Sequence, residues 1–91
     1  MSITKETINK AIELSKHYGV VKLILFGSAL DNLSAAKDLD LACSGINDWS
    51  FFELSAKLEE ELKIQVDLIP LDDSQFSKHI SKIGKVLYEQ V

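Results

Sequence analysis

Three aspartates carry the chemistry this chain could do. Two lie in Asp38-Leu39-Asp40-Leu41, and a third, Asp67, interrupts the apolar run Ile64-Gln65-Val66-Asp67-Leu68-Ile69. A carboxylate placed in an apolar strand is costly to desolvate unless something compensates it. Side chains alternate along a strand, so Asp38 and Asp40 share one face. If the Asp67 strand pairs with theirs, all three acids can serve a common cation. Hard carboxylate oxygens suit Mg²⁺, which usually fills the rest of its shell with water and substrate phosphates. Upstream, Phe26-Gly27-Ser28 ends another apolar run. Glycine there lets a phosphate come close to the backbone, where amide N–H groups can receive it.

The elements that must hold these residues alternate between helical and extended patterns. Thr4 is placed to cap a helix whose apolar positions are Ile8, Ala11, Ile12, Leu14 and Tyr18, with Gly19 as its stop. Val20 to Phe26 reads as a buried strand. Residues 28–37 hold at most a helical turn, and Asp38 to Cys43 reads as the second strand. Ser50-Phe51-Phe52-Glu53 has the form of a capping box, with Trp49 and Leu54 as its hydrophobic staple. The helix that follows is expected to bury Phe51, Leu54, Leu58 and Leu62 and to turn Glu59, Glu60 and Glu61 to solvent. Ile64 to Ile69 is the third strand, stopped by Pro70. Asp72, Asp73 or Ser74 can cap a closing helix with Phe76, Ile80, Ile83 and Leu87 inward and Tyr88 in its packing. A substrate touching both Gly27-Ser28 and Asp38 requires the first two strands to be antiparallel neighbours. The expected class is α/β in the two-layer α+β sense. It has a small mixed sheet, helices on one face, and the acids on a partly open face.

The ordered set, a hydrophobic strand ending in Gly27-Ser28, then Asp38-Leu39-Asp40, then Asp67 on a later strand, resembles the nucleotidyltransferase superfamily that includes DNA polymerase β. The short chain is similar in extent to the minimal nucleotidyltransferases, and Ile83-Gly84-Lys85-Val86-Leu87-Tyr88-Glu89 looks like their closing helix. The resemblance implies that Asp38, Asp40 and Asp67 are the catalytic and metal-binding acids. It also implies that Gly27 and Ser28 receive the phosphates of ATP. Family members commonly follow Gly-Ser with arginine, whose planar fork suits phosphate. This chain contains no arginine at all, and Lys37 is the cation nearest the acids in sequence. The family further implies a helical HEPN-type protein as partner, with AMP transfer to a partner hydroxyl and an antitoxin role. Two alternatives stand beside it. One is a catalytically silent module of the same fold that neutralises a helical partner by contact. The other is a subunit of a small-molecule transferase of the antibiotic-modifying kind.

Size and charge narrow the remaining classes. Ninety-one residues suffice for one domain spanning 1–91. A domain this small has little surface for an acceptor, so a partner protein is expected to supply it. The net charge of −4 at pH 7 argues against direct binding to nucleic acid or to anionic membranes. No run approaches the roughly 20 apolar residues of a membrane-spanning helix. The N-terminus lacks the apolar stretch of a signal peptide, and the lone Cys43 reads as a small core side chain outside any disulfide framework. A cytoplasmic protein is the simplest expectation, and homo-oligomerisation is left open.

Overall fold

The computed structural model describes residues 3–90. Helix α1 (Lys5–His17) starts at Thr4, where a reciprocal capping box joins Thr4 and Thr7. The chain turns at Gly19 into strand β1 (Lys22–Phe26), followed by the short helix α2 (Ser28–Asp31) and a 3-10 turn (Leu33–Ala35). Strand β2 (Asp38–Ser44), helix α3 (Asp48–Leu62) and strand β3 (Gln65–Pro70) form a crossover unit. Helix α4 (Gln75–Ile83) and strand β4 (Lys85–Glu89) complete the order.

The four strands form one mixed sheet in the order β3-β2-β1-β4. Strand β1 is antiparallel to both β2 and β4, whereas β2 and β3 run parallel. Parallel neighbours need a long crossover, and α3 provides it. The result is the two-layer α+β architecture with a mixed sheet that the sequence pattern implies, and β1 and β2 are the antiparallel neighbours that the motif requires.

Alternation along the strands sorts the side chains into two faces. Leu23, Leu25, Leu39, Leu41, Cys43, Val66 and Leu68 point to the face covered by α1 and α3 and are all buried. Helix α3 contributes Leu54, Leu58 and Leu62, spaced four apart as one stripe demands. Each such buried leucine stabilises the fold by about 1.5–3 kcal/mol relative to exposure. Phe51 lies only half-buried at the edge of this layer. The opposite face carries a smaller cluster, in which Ile80 of α4 packs on Ile24 and Ala42, flanked by Phe26, Ile69 and Leu71. Helix α4 thus covers one end of the acid-bearing face, so the helices are not confined to one face as the sequence pattern implied: the apolar residues Ile24 and Ala42 on that face need a cover of their own.

Several local expectations are corrected. The closing segment is a strand, not a helix: α4 stops at Ile83, and Lys85–Glu89 pairs with β1. Gly84 makes this switch possible by close approach, since a Cβ there would strike the Ile24 side chain and lie 2.7 Å from the Ile80 carbonyl oxygen. Ile83 is 50% exposed and Phe76 57% exposed, where helical spacing placed both inward. The cap of α3 is Asn47, whose side chain accepts from the Ser50 amide at 2.8 Å, so Ser50 lies inside the helix. Trp49 is consequently 75% exposed and staples nothing. Among the three cap candidates for α4, Ser74 takes the position, and its hydroxyl accepts from the Ser77 amide at 3.1 Å. Glu59 is not wholly solvated either: its carboxylate accepts from the Val66 amide at 3.1 Å and ties α3 to β3.

Candidate active site

The acids meet through sheet register. In the parallel pair, Asp40 is the Cα partner of Asp67, and in the antiparallel pair Asp40 is the partner of Phe26. A single row therefore crosses three strands as Asp67, Asp40, Phe26. Asp38 lies one pleat away on the same face, opposite Gln65. Asp38 and Asp40 are half-buried, and Asp67, which the apolar run suggested would be desolvated, is exposed because its face of the sheet is open there.

The electrostatics of the row centre on Asp40. Burial raises its carboxyl above the ordinary 3.8, and three further effects push the same way: the Asp67 charge, a side-chain hydrogen bond shared with Asp67, and the Asp38 charge. No cationic side chain is paired with it in a salt bridge among the described residues. Carboxylates held this close repel one another when ionised. A divalent cation would relieve that repulsion, and the donor set consists of the hard oxygens that Mg²⁺ prefers. Among the described residues, no three His, Cys, Asp or Glu side chains form a ready-made metal cluster. Asp40 and Asp67 are register partners on adjacent strands, with Asp38 as their electrostatic neighbour. That donor set fits an ion that draws the rest of its shell from water and phosphate.

Gly27 shapes the other side of the row. It adopts φ 77°, a backbone region that side-chain-bearing residues rarely occupy, and a Cβ at this position would collide with the Asp40 carboxylate. The missing side chain is therefore the space in which Asp40 sits. Ser28 opens α2 with its side chain exposed. Ser28, Lys37 and Asp38 line a common open cavity of about 460 Å³, together with Asp31, Asn32 and Ala35. Lys37 is exposed on its wall and is the only cationic residue among those lining it. The structure thus brings the six residues singled out from sequence to two adjoining sites, the acid row with Gly27 and the cavity with Ser28 and Lys37, which Asp38 borders. Asp31 and Asn32 join this wall without having been signalled by any motif. Asn32 is held by its own role in the chain, capping the 3-10 turn by accepting from the Ala35 amide at 3.3 Å.

A mixed sheet with a glycine turn at the end of β1 and aspartates on the next two strands defines a nucleotidyltransferase type of domain. A family model described as "Polymerase beta, Nucleotidyltransferase" matches residues 7–91, and the chain belongs to that family. Among solved structures, a chain of a mutant MntA toxin–antitoxin is similar at 26% identity and a TM-score of 0.75, with 91% of this chain and 72% of that chain covered. A structure of a toxin–antitoxin with AMP-PNP contains a chain similar at 26% identity and a TM-score of 0.74, covering 90% of this chain and 73% of that one. A rebuilt structure of the tri-AMPylated Shewanella oneidensis HEPN toxin in complex with MNT antitoxin gives 25% identity and a TM-score of 0.73, over 94% of this chain and 72% of the matched chain. Comparison with curated proteins gives no significant match. Among the described residues, no helix is long and apolar enough to cross a membrane.

Proposed function

We propose that this chain is a Mg²⁺-dependent nucleotidyltransferase that moves AMP from ATP to a hydroxyl of a helical HEPN-type partner and thereby acts as an antitoxin. The observation that carries the reading is the row Asp67–Asp40 beside the side-chain-free Gly27. Support for the partner and for AMP comes from the tri-AMPylated HEPN toxin and the AMP-PNP structures to which the fold is similar. The chain acts as one domain over residues 1–91, in the cytoplasm, and the partner supplies the acceptor surface.

Asp38 and Asp40 would hold the metal, and Asp67 would complete the shell on the acceptor side. The chemistry a Mg²⁺ ion would supply there is neutralisation of the charge that develops on the phosphoryl oxygens and on the departing pyrophosphate. The protein's own contribution is positional. Gly27 lets the phosphate chain approach the backbone, and the Ser28 hydroxyl and the amides that open α2 donate to its oxygens. Lys37 adds a point charge on the cavity wall in place of the arginine fork. Asp67, exposed at the end of the row, would accept the proton of the incoming hydroxyl.

Intact-mass spectrometry of a HEPN-type partner after incubation with this protein, ATP and Mg²⁺ tests the proposal. Transfer adds about 329 Da per AMP to the nucleophile. A partner that is bound and neutralised with no change in mass would leave only contact inhibition. That second reading is favoured by one specific feature, the complete absence of arginine from a chain expected to grip a triphosphate.

A further inference from the structure

The acid row continues into an aromatic pair that the proposed roles leave unused. Phe26, the Cα partner of Asp40, meets Phe76 of α4 edge to face, with ring centroids 6.4 Å apart and an interplanar angle of 86°. In that arrangement one ring spends its edge on the other and leaves a π-face open. Phe76 is the ring left outward, 57% exposed.

The ring is held on a braced element. Helix α4 is capped by Ser74, and Ser77, which is buried, donates to Asp72 at 2.9 Å and accepts from the Asp72 amide at 3.0 Å. One turn after Phe76, Ile80 is sunk on Ile24 and Ala42. An aromatic side chain fixed in this way costs little entropy to use as a contact surface.

We infer that Phe76, backed by Phe26, is the stacking platform for the base of the bound nucleotide. The inference rests on the nucleotidyltransferase reading. On the proposed roles Asp67 marks the acceptor end, and Phe26 lies two strands away at the opposite end of the row, about 10 Å across the sheet. Phe26 is also bonded directly to Gly27, where the phosphates approach. The aromatic end therefore faces the nucleotide and not the acceptor. Every base offers a π-face, so this contact tolerates purine identity and holds the base by area, in a chain that has no arginine with which to grip the triphosphate.

Calorimetric titration of the intact chain in Mg²⁺ separates base from phosphate, using AMP-PNP and inorganic tripolyphosphate as the two probes. Phe76→Ala should weaken AMP-PNP on the order of tenfold, the scale of one lost base–aromatic stack. Phe76→Trp should restore or exceed wild-type affinity. Tripolyphosphate, which has no base, should bind all three proteins equally. Circular dichroism melts confirm that the variants fold. Unchanged AMP-PNP affinity in Phe76→Ala overturns the platform, as does an equal loss for both probes. A wild type that binds tripolyphosphate as tightly as AMP-PNP also overturns it, while leaving the phosphate site standing. A wild type that binds neither probe removes the nucleotide reading itself.

Discussion

Asp40 is the residue at which the needs of the fold and of the site diverge. Its carboxyl is raised by burial first, then by the Asp67 charge and hydrogen bond, then by the Asp38 charge. A raised carboxyl in the folded state keeps its proton to higher pH than in the unfolded chain. Between the ordinary 3.8 and the raised value, the folded state therefore binds more protons, and stability falls as pH rises. This slope is opposite to that of a carboxylate with a lowered pKa, such as Asp72, which is held down by hydrogen bonds from Ser74 and Ser77 and loses its contribution as pH falls. Asp40→Asn should flatten the Asp40 segment and raise the melting temperature of the metal-free protein at neutral pH. It should also abolish the melting-temperature gain that Mg²⁺ with AMP-PNP gives the wild type. Melts across pH 3–8 with and without those ligands read both effects (roughly the range over which carboxylates titrate). A variant that still gains stability from Mg²⁺ and nucleotide would move the metal off this row. Aspartates at alternating positions in a strand announce a shared face by residue type alone, so this part of the site was legible in the sequence. The direct Asp40–Asp67 pairing was not, because register between distant strands is settled by the whole sheet and not by local pattern.

At the scale of elements, the misjudged segment is the most instructive. Ile80, Ile83 and Leu87 repeat at helical spacing, yet the chain leaves the helix at Gly84 and returns as β4. The pattern was ambiguous because Val86, Leu87 and Tyr88 form a short apolar run that periodicity alone cannot assign. The deciding term is tertiary: as a strand, Lys85–Glu89 satisfies the free edge of β1. Tyr88 secures this arrangement. Its hydroxyl donates to the Val20 carbonyl oxygen at 2.7 Å, and the Lys16 ammonium lies 5.2 Å from its ring centroid. Burial, and then the Cys43 thiol, push the phenol up to about 12. Tyr88→Phe should keep the ring packing and lose the hydrogen bond, costing about 1 kcal/mol. For a domain of this size, that corresponds to a fall of about 4–8 °C in melting temperature. No change on thermal denaturation would show that the bond is worth no more than the water it displaces. The other elements were legible for the converse reason. Thr4, the leucine stripe of α3 and Pro70 act through neighbours in sequence, so their signals survive without the rest of the molecule. Trp49 failed because the box at Ser50 competed with a better cap, Asn47, three residues earlier.

For the whole molecule, the question is whether holding a partner and modifying it are separable. The sheet spends one face on α1 and α3 and part of the other on α4, so the acid row opens directly to whatever docks against it. On the proposed function, the acceptor hydroxyl arrives on a second protein, and the interface that delivers it is far larger than the site. A standard interface buries roughly 1,600 Å², against which one exposed aspartate is a small fraction. Asp67 is that exposed member of the row. Asp67→Asn preserves shape and removes one charge from the exposed end of the row. It should therefore leave the dissociation constant for a HEPN-type partner within about threefold of wild type, a shift of under ~1 kcal/mol. It should also reduce AMP transfer by at least 100-fold, the usual effect of removing a general base. Surface-plasmon binding and intact-mass time courses on the same preparation measure the two quantities side by side. If the antitoxin role depends on transfer, Asp67→Asn should bind the partner yet fail to protect cells from it over time, because an unmodified partner resumes activity whenever it dissociates. Full protection by a variant that adds no mass to its partner would instead show that contact alone neutralises it, with the acid row serving no catalytic purpose in this chain.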